Sequence, residues 1–331
     1  MAYKISIGID WQGQLDYQAL CEKVQIAEAA GVHSAWVPEA WGRDAFTILT
    51  LLADKTKRIN LGTAIVNTYS RTPAALAQHF ATLDEVSGGR MLLGLGTSGP
   101  QVIEHFHGVA FQPPLQRMRE YVEIINTLMK GEPLKYSGKV FDLQRGFTLR
   151  FQPVRDHIPI YLATLNAKSV KMTAELADGW LPIMIPLEQL KSEIDNLRQA
   201  SVVAGRPANA VAVRSPGTIT VTSQVDKARA ASAGMLAFYI GRMGTFYAAQ
   251  LTRLGYGEAV ETIKEAWAGG SRAAGEAVPA QLVDTTGCVG TVEAGIDRLQ
   301  AQAECGVDLH HVNVQAENNR EYERILVKLV G

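Results

Sequence analysis

The chain has 331 residues, and its 32 basic and 33 acidic side chains leave a formal net charge of −1. Such a balance offers no clustered positive field for nucleic acid or an anionic membrane surface. No apolar run is long enough to cross a bilayer, the start Met1-Ala2-Tyr3-Lys4 lacks the order of a signal peptide, and Cys21, Cys288 and Cys305 are scattered. A cytoplasmic protein without a disulfide framework or zinc site is therefore expected.

Short apolar runs alternate with helical patterns along the chain, the signature of parallel βα units. Lys4 to Asp10 reads as a first strand. A helix follows with Tyr17, Leu20, Cys21, Val24 and Ala27 on one face, and Gly31 stands where its C-cap belongs. Ser34 to Val37 is a second strand, and Asp44 caps a helix that packs through Ile48, Leu51 and Leu52. Ile59 to Val66 makes a third strand, Pro73 opens the next helix, and Gly88-Gly89 closes it. Met91 to Leu95 is a fourth strand, with a helix around Tyr121, Ile124, Ile125 and Leu128.

The second half is less regular. Ile158 to Ala163 and Gly179 to Ile183 read as strands, each followed by a helix: Ser169 to Ala177, then Leu187 to Ala204. Val211 to Val221 reads as a seventh strand. The helical stretch from Asp226 to about Gly275 is too long for one crossover, so part of it is expected to be an insertion. Thr291 to Cys305 is a helix and Leu309 to Val314 an eighth strand. Residues 131–157 look like an excursion between units. The expected architecture is α/β, a (β/α)8 TIM barrel, as one domain over residues 1–331 with insertions at 131–157 and about 241–285.

In such barrels the active site lies where strands end and βα loops begin. Asp10, Glu39, Asn67, Thr97, Ser98, Thr164 and Asn166 stand at those junctions. One motif points elsewhere. Gly94-Leu95-Gly96-Thr97-Ser98-Gly99 matches G-x-G-x-x-G after a strand. A dinucleotide fingerprint also needs a helix that opens at once and an acidic residue ending a second strand about 20 residues on. Here Pro100 follows, a break is expected at Gly108, and Glu120 and Glu123 lie within a helix. The glycines are better suited to bringing backbone close to a flat ligand.

The stretches AWVPEAWGRDAFT (35–47), LGTAIVNTYSRTPAALA (61–77) and LDEVSGGRMLLGLGTSGPQVIEHFHG (83–108) carry a family resemblance. IPIYLATLNAKSV (158–170) and AELADGWLPI (174–183) extend it. The sequence resembles the bacterial-luciferase-like flavin-dependent family, and the SGPQV stretch resembles its branch that uses coenzyme F420, an 8-hydroxy-5-deazaflavin. The resemblance implies a cis peptide at Ala64–Ile65, with Val66 and Asn67 following, pressed against the back of the cofactor ring. Gly96, Thr97 and Ser98 would line the ring edge. Ala163, Thr164, Leu165 and Asn166 would hold the cofactor phosphate at a helix start, with Lys168 adding charge. Similar proteins are commonly dimers.

The chain also departs from its relatives. Asn166 and Ala167 stand where many have glycine and proline. Glu39-Ala40 replaces the acid–histidine pair of the branch's sugar-phosphate dehydrogenases, and Gly99 replaces their glutamate, which disfavours a sugar phosphate.

Hydride transfer leaves the protein to position the cofactor, exclude water and manage one proton. Asp10 is the first candidate for that proton. IGIDW resembles the segment carrying an acidic residue in methylene-tetrahydromethanopterin reductases, and partial burial would raise the Asp10 pKa; a solvated turn aspartate is its alternative role. Glu39 is the second candidate site residue, contacting the polar edge of the deazaflavin rather than moving the proton; pairing with Arg43 is its alternative role. Trp11 and Trp41 could wall the pocket. Arg71 suits a cofactor tail or a surface position. Neither His105/His107 nor His310/His311 has a third metal ligand at local spacing. The expected function is an F420-dependent oxidoreductase acting on a small organic molecule. An FMN-dependent monooxygenase is the alternative, and a non-catalytic cofactor-binding barrel or a NAD-dependent dehydrogenase stand further off.

Overall fold

The computed structural model describes residues 2–10 and 13–331 and contains two compact units. One comprises residues 7–164 and 172–180, the other residues 2–6, 165–171 and 181–331.

The first unit alternates strand and helix. β1 (Ile5–Gly8), part of which belongs here, leads to α1 (Tyr17–Ala29). The Asp16 carboxylate caps α1 by accepting from the N–H groups of Gln18 and Ala19, and Leu20, Cys21, Val24 and Ala27 form its buried face. Gly31 turns the chain at φ 85°, in the left-handed region. β2 (Ser34–Val37) is wholly buried, and α2 (Ala45–Lys55) is capped by Asp44. β3 (Asn60–Thr63) and β4 (Val66–Asn67) divide the expected third strand, and the Ala64–Ile65 peptide between them is cis. α3 (Pro73–Ser87) begins with proline behind the Thr72 cap and ends at Gly88 with φ 71°.

β5 (Met91–Gly96) is buried along its whole length. α4 (Pro100–His105) opens three residues after it, a helix not expected there, and the expected break is present at Gly108, which turns the chain at φ 68° before the next helix. Gly99 is extended, and proline loses nothing in the first turn, where an N–H has no helical partner anyway. The next element is α5 (Pro114–Met129), which contains Glu120 and Glu123, so no strand presents the acid that a dinucleotide needs.

β6 (Leu134–Ser137) and β7 (Asp142–Phe147) form a separate antiparallel hairpin. It is tied to α5 by Glu120, which is 0% exposed and accepts from the N–H groups of Lys139, Val140 and Phe141. β8 (Ile160–Leu162), α6 (Ala167–Leu176) and β9 (Gly179–Trp180) complete the order. The strands run parallel as β1-β2-β3-β5-β8-β9, with β4 also on β5. Trp36 meets Tyr161 edge-on at 5.2 Å, and a Cβ on Gly62 would come within 2.8 Å of the Trp36 ring.

In the second unit, α7 (Leu187–Val203) precedes β10 (Ala212–Val213) and β11 (Ile219–Thr222). These two replace the single strand expected at Val211–Val221. Pro216 cannot donate to a ladder, and the backbone of Thr286 fills the space where a side chain on Gly217 would stand. α8 (Val225–Arg242), α9 (Phe246–Leu251), α10 (Gly257–Ala266), α11 (Gly270–Glu276) and α12 (Ala280–Thr286) follow. They share an apolar cluster that includes Leu236, Ile240, Leu251, Val260, Ile263 and Leu282.

β12 (Cys288–Gly290), α13 (Val292–Cys305), β13 (His310–Gln315) and α14 (Asn319–Val330) close the chain, with β11 parallel to both β12 and β13. β12 and α14 are not among the expected elements. β12 is too short to show a period, whereas Tyr322, Ile325, Leu326 and Leu329 of α14 do carry a helical one.

Candidate active site

In the first unit, the ends of neighbouring parallel strands are joined by backbone hydrogen bonds. The Ile9 N–H donates to the Trp36 carbonyl (2.9 Å), that of Ala64 to Val37 (2.9 Å) and that of Glu39 to Ile65 (3.2 Å). The Thr68 N–H reaches the Gly96 carbonyl (3.0 Å), and that of Ala163 reaches Leu95 (2.9 Å). Glu39, Ile65, Gly96 and Ala163 are thus assembled at one edge of one sheet. A Cβ on Gly96 would stand 3.2 Å from the Ile65 side chain and 3.3 Å from Ala163. Glycine is what allows these three positions to converge.

Burial sorts the expected cofactor residues. Ala64, Ile65, Thr97, Ser98 and Ala163 are half-buried, an apolar patch with a polar edge. Val66, Asn67, Gly96 and Thr164 are buried and engaged inside the unit. Asn67 Oδ1 accepts from the N–H groups of Tyr69 and Ser70 (2.9 and 2.8 Å), and its Nδ2 lies 3.4 Å from His107 Nε2. The hydroxyls of Thr164 and Thr173 are 2.8 Å apart, and the Thr164 carbonyl accepts from Trp180 Nε1 (3.0 Å). Ser98 holds φ 58°, an uncommon value for a residue with a Cβ.

Leu165 and Asn166 belong to the second unit. There Asn166 Oδ1 accepts from the Ser169 N–H (3.0 Å), while Ser169 Oγ accepts from the Asn166 N–H (3.2 Å). This reciprocal cap secures the start of α6.

Glu39 is held from two sides. Arg71 donates Nη1 to Oε1 (2.5 Å) and Nη2 to Oε2 (3.1 Å), and the Ala45 N–H at the start of α2 donates to Oε2 (2.9 Å). Arg71 also reaches Asp44 Oδ1 (2.5 Å) and stacks over Phe46 at 4.6 Å, while Tyr121 Oη donates to its carbonyl (2.6 Å). Burial alone would raise the Asp44 pKa, but hydrogen bonds from Thr47 and the charge of Arg71 lower it.

Three expectations change here. Glu39 pairs with Arg71, and Arg43 instead donates to the Gly13 carbonyl (2.5 Å). Arg71 is not a free surface cation, being paired with both Glu39 and Asp44. Asp10 is exposed, because β1 ends at Gly8 and carries it beyond the strand. Trp41 is 42% exposed at the rim, and Trp11 lies outside the described residues.

The Arg71 cluster went unforeseen, since its partners lie 27 and 32 residues away with no local spacing to mark them. A second cluster, with Tyr69 stacked on Phe111 at 5.3 Å and Arg117 over Tyr69 at 4.7 Å, is equally non-local. The paired histidines have partners within their units: His310 Nδ1 lies 3.0 Å from Gln302 Oε1, and His311 Nδ1 lies 3.2 Å from Ser6 Oγ. Burial pushes the His310 pKa down to about 4. Among the described residues, no group of three His, Cys, Asp or Glu side chains could hold a metal.

Against this geometry, the profile of the luciferase-like monooxygenase family matches residues 5–309. A Mycobacterium tuberculosis protein that carries the provisional name of a coenzyme F420-dependent oxidoreductase is 35% identical, over 88% of this chain and 89% of its own length. The 5,10-methylenetetrahydromethanopterin reductase of Archaeoglobus fulgidus is 31% identical, over 92% and 91%. The solved F420-dependent tetrahydromethanopterin reductase of Methanopyrus kandleri superposes with a TM-score of 0.82 at 23% identity, covering 98% of this chain and 97% of that one. That likeness carries the fold: α/β, a (β/α)8 barrel with insertions, as expected.

Proposed function

The chain belongs to the luciferase-like monooxygenase family, and from that membership we propose that it is an oxidoreductase using coenzyme F420 to exchange a hydride with a small organic substrate. The observation that carries this reading is the ladder of hydrogen bonds that gathers Glu39, Ile65, Gly96 and Ala163 at one sheet edge. The names of the two relatives point to the same coenzyme.

The residues present fit a planar, partly polar ring. Ala64, Ile65 and Ala163 offer an apolar support, and Thr97 and Ser98 offer hydroxyls along its edge. The bound deazaflavin supplies two-electron hydride chemistry at a carbon where a flavin has nitrogen. Val66, Asn67, Gly96 and Thr164 brace the support from behind. Ala163 to Asn166, with the N–H groups of Ala167 and Lys168 in the first turn of α6, hold the phosphate through the positive end of the helix. Arg71 and Ala45 lock the Glu39 carboxylate at the rim, where it orients the ring's polar side. Asp10, exposed and beyond β1, exchanges the proton that accompanies the hydride. The enzyme acts in the cytoplasm as a homodimer.

F420 fluorescence titration tests this reading. Saturable quenching is expected, and Ile65→Glu should weaken it by about tenfold or more, by setting a charge against the ring. Absence of saturation with the native chain, or an unchanged affinity in Ile65→Glu, refutes it.

A further inference from the structure

In the first unit, the segment that follows β5 leaves from and returns to the same residue of β4. Asn67 stands opposite Gly96 in the β4–β5 register, and the N–H of the next residue, Thr68, donates to the Gly96 carbonyl (3.0 Å). The chain then passes Thr97 and Ser98, runs through α4 and reaches His107, whose Nε2 lies 3.4 Å from Asn67 Nδ2. Both feet of the 97–107 segment thus rest on Asn67. Between them stands Ser98 at φ 58°, a strained value that persists only where the surroundings fix it.

The hydrogen bonds of Asn67 decide which proton His107 carries. Asn67 is 1% exposed, and its Oδ1 already accepts from the N–H groups of Tyr69 (2.9 Å) and Ser70 (2.8 Å). The amide cannot flip without breaking both bonds, so Nδ2, which only donates, is the atom that faces the imidazole. His107 Nε2 must therefore accept, and the ring proton sits on Nδ1. A second proton sets N–H against N–H and breaks the contact. Among the described residues no carboxylate pairs with His107 to offset that charge. Glu104 of α4 accepts from the Phe111 N–H (3.2 Å), and Arg117 of α5 lies over the Tyr69 ring (4.7 Å). Burial pushes the Tyr69 pKa up to about 12, so that hydroxyl keeps its proton, and His105 of α4 is exposed.

We propose that His107 is a positioning residue for the coenzyme: its neutral imidazole ties the far foot of the 97–107 segment to Asn67 and so holds Thr97 and Ser98 along the ring edge. Coenzyme affinity then falls as the imidazole takes up its second proton. The consequence for the coenzyme rests on the oxidoreductase reading above; the tautomer rests on the hydrogen bonds alone.

Long-range 15N–1H spectra of the coenzyme-free full chain carrying 15N-histidine read the tautomer, with the His107 signals identified by their loss in His107→Gln. At about pH 8 the proton is expected on Nδ1. F420 fluorescence titrations of the native chain and His107→Gln are then compared at about pH 8 and about pH 5.5, which bracket the titration of an imidazole. The Gln side chain accepts from Asn67 through Oε1 at either pH. The ratio of the two dissociation constants cancels the ionisation of the coenzyme and of every group the two proteins share. That ratio, native over variant, should rise about fivefold on acidification, the worth of one hydrogen bond. Asn67→Asp, whose carboxylate accepts from an imidazolium, should repeat the rise if His107→Gln does not fold. A proton found on Nε2, or a ratio equal at the two pH values, overturns the proposal. A native chain that binds no F420 removes the redox reading, while the nitrogen spectra still decide the contact between His107 and Asn67.

Discussion

Removing Glu39 and Arg71, singly and together, measures how firmly the candidate rim is fixed. The guanidinium lies 2.5 and 3.1 Å from the two carboxylate oxygens, with side-chain exposures of 21% for Arg71 and 9% for Glu39. Opposite charges about 4 Å apart attract by roughly 4 kcal/mol at an effective dielectric near 20. Exposed pairs return about 0–1 kcal/mol after desolvation and lost side-chain freedom. Breaking a fully buried pair costs about 3–5 kcal/mol. Glu39 is nearly enclosed, but Arg71 keeps some water and a second anchor in Asp44, so the expected coupling energy is about 2 kcal/mol. Glu39→Gln preserves shape, and Arg71→Met preserves the stem over Phe46. Urea unfolding of the native protein, both single variants and the double variant gives the coupling directly. A coupling below about 0.5 kcal/mol would refute the reasoning, because it would class this cluster with solvent-screened surface pairs. Asp44→Asn supplies a ranking check: with 42% exposure its cost should be the smaller.

Four further outcomes are expected. Gly96→Ala should cost about 1 kcal/mol, since its Cβ would force Ile65 and Ala163 apart by a few tenths of an ångström, and it should weaken F420 binding; unfolding and fluorescence titrations read the two effects. Ser98→Gly relieves a positive φ and should raise stability by about 1 kcal/mol while lowering coenzyme affinity through loss of the hydroxyl; equal affinity would show that Ser98 does not touch the ring. Asp10→Asn should slow hydride transfer by about 100-fold or more with little change in coenzyme Kd, and unchanged turnover removes Asp10 from the proton path. The hydrogen bond to Asp178 raises the His157 pKa above 6.5, against burial. Its contribution is therefore full below the unfolded value and is lost as pH rises through the folded one. At 38% and 34% exposure the pair is worth under about 1 kcal/mol, and Asp178→Asn should flatten the urea midpoint across that pH range.

The alternation of elements was legible because each strand is bounded by signals that act locally. Asp44 and Thr72 cap their helices, Pro73 opens α3, and Gly31 and Gly88 turn the chain with positive φ. Ser34–Val37 needed no correction, being a short apolar run between such signals. Positions at strand ends were legible for the same reason, and Glu39, Ile65, Gly96 and Ala163 do share one edge. What each side chain does there was not legible, because that depends on partners distant in sequence. Arg71 looked like a surface cation until Glu39, Asp44 and Phe46 closed around it. Asp10 was open between a partly buried acid and a solvated turn aspartate, and it is exposed because β1 stops two residues before it. The split of Val211–Val221 followed from Thr286, whose backbone reaches Gly217 from 69 residues away, and no periodicity announces that contact.

Oxygen uptake during titration of the purified chain with each reduced cofactor tests the central assignment most directly. Saturable binding of reduced F420 without oxygen consumption, and no comparable binding of reduced FMN, is the result predicted here. Tight FMN binding accompanied by rapid oxygen uptake would contradict it and make the protein an oxygen-using flavin enzyme.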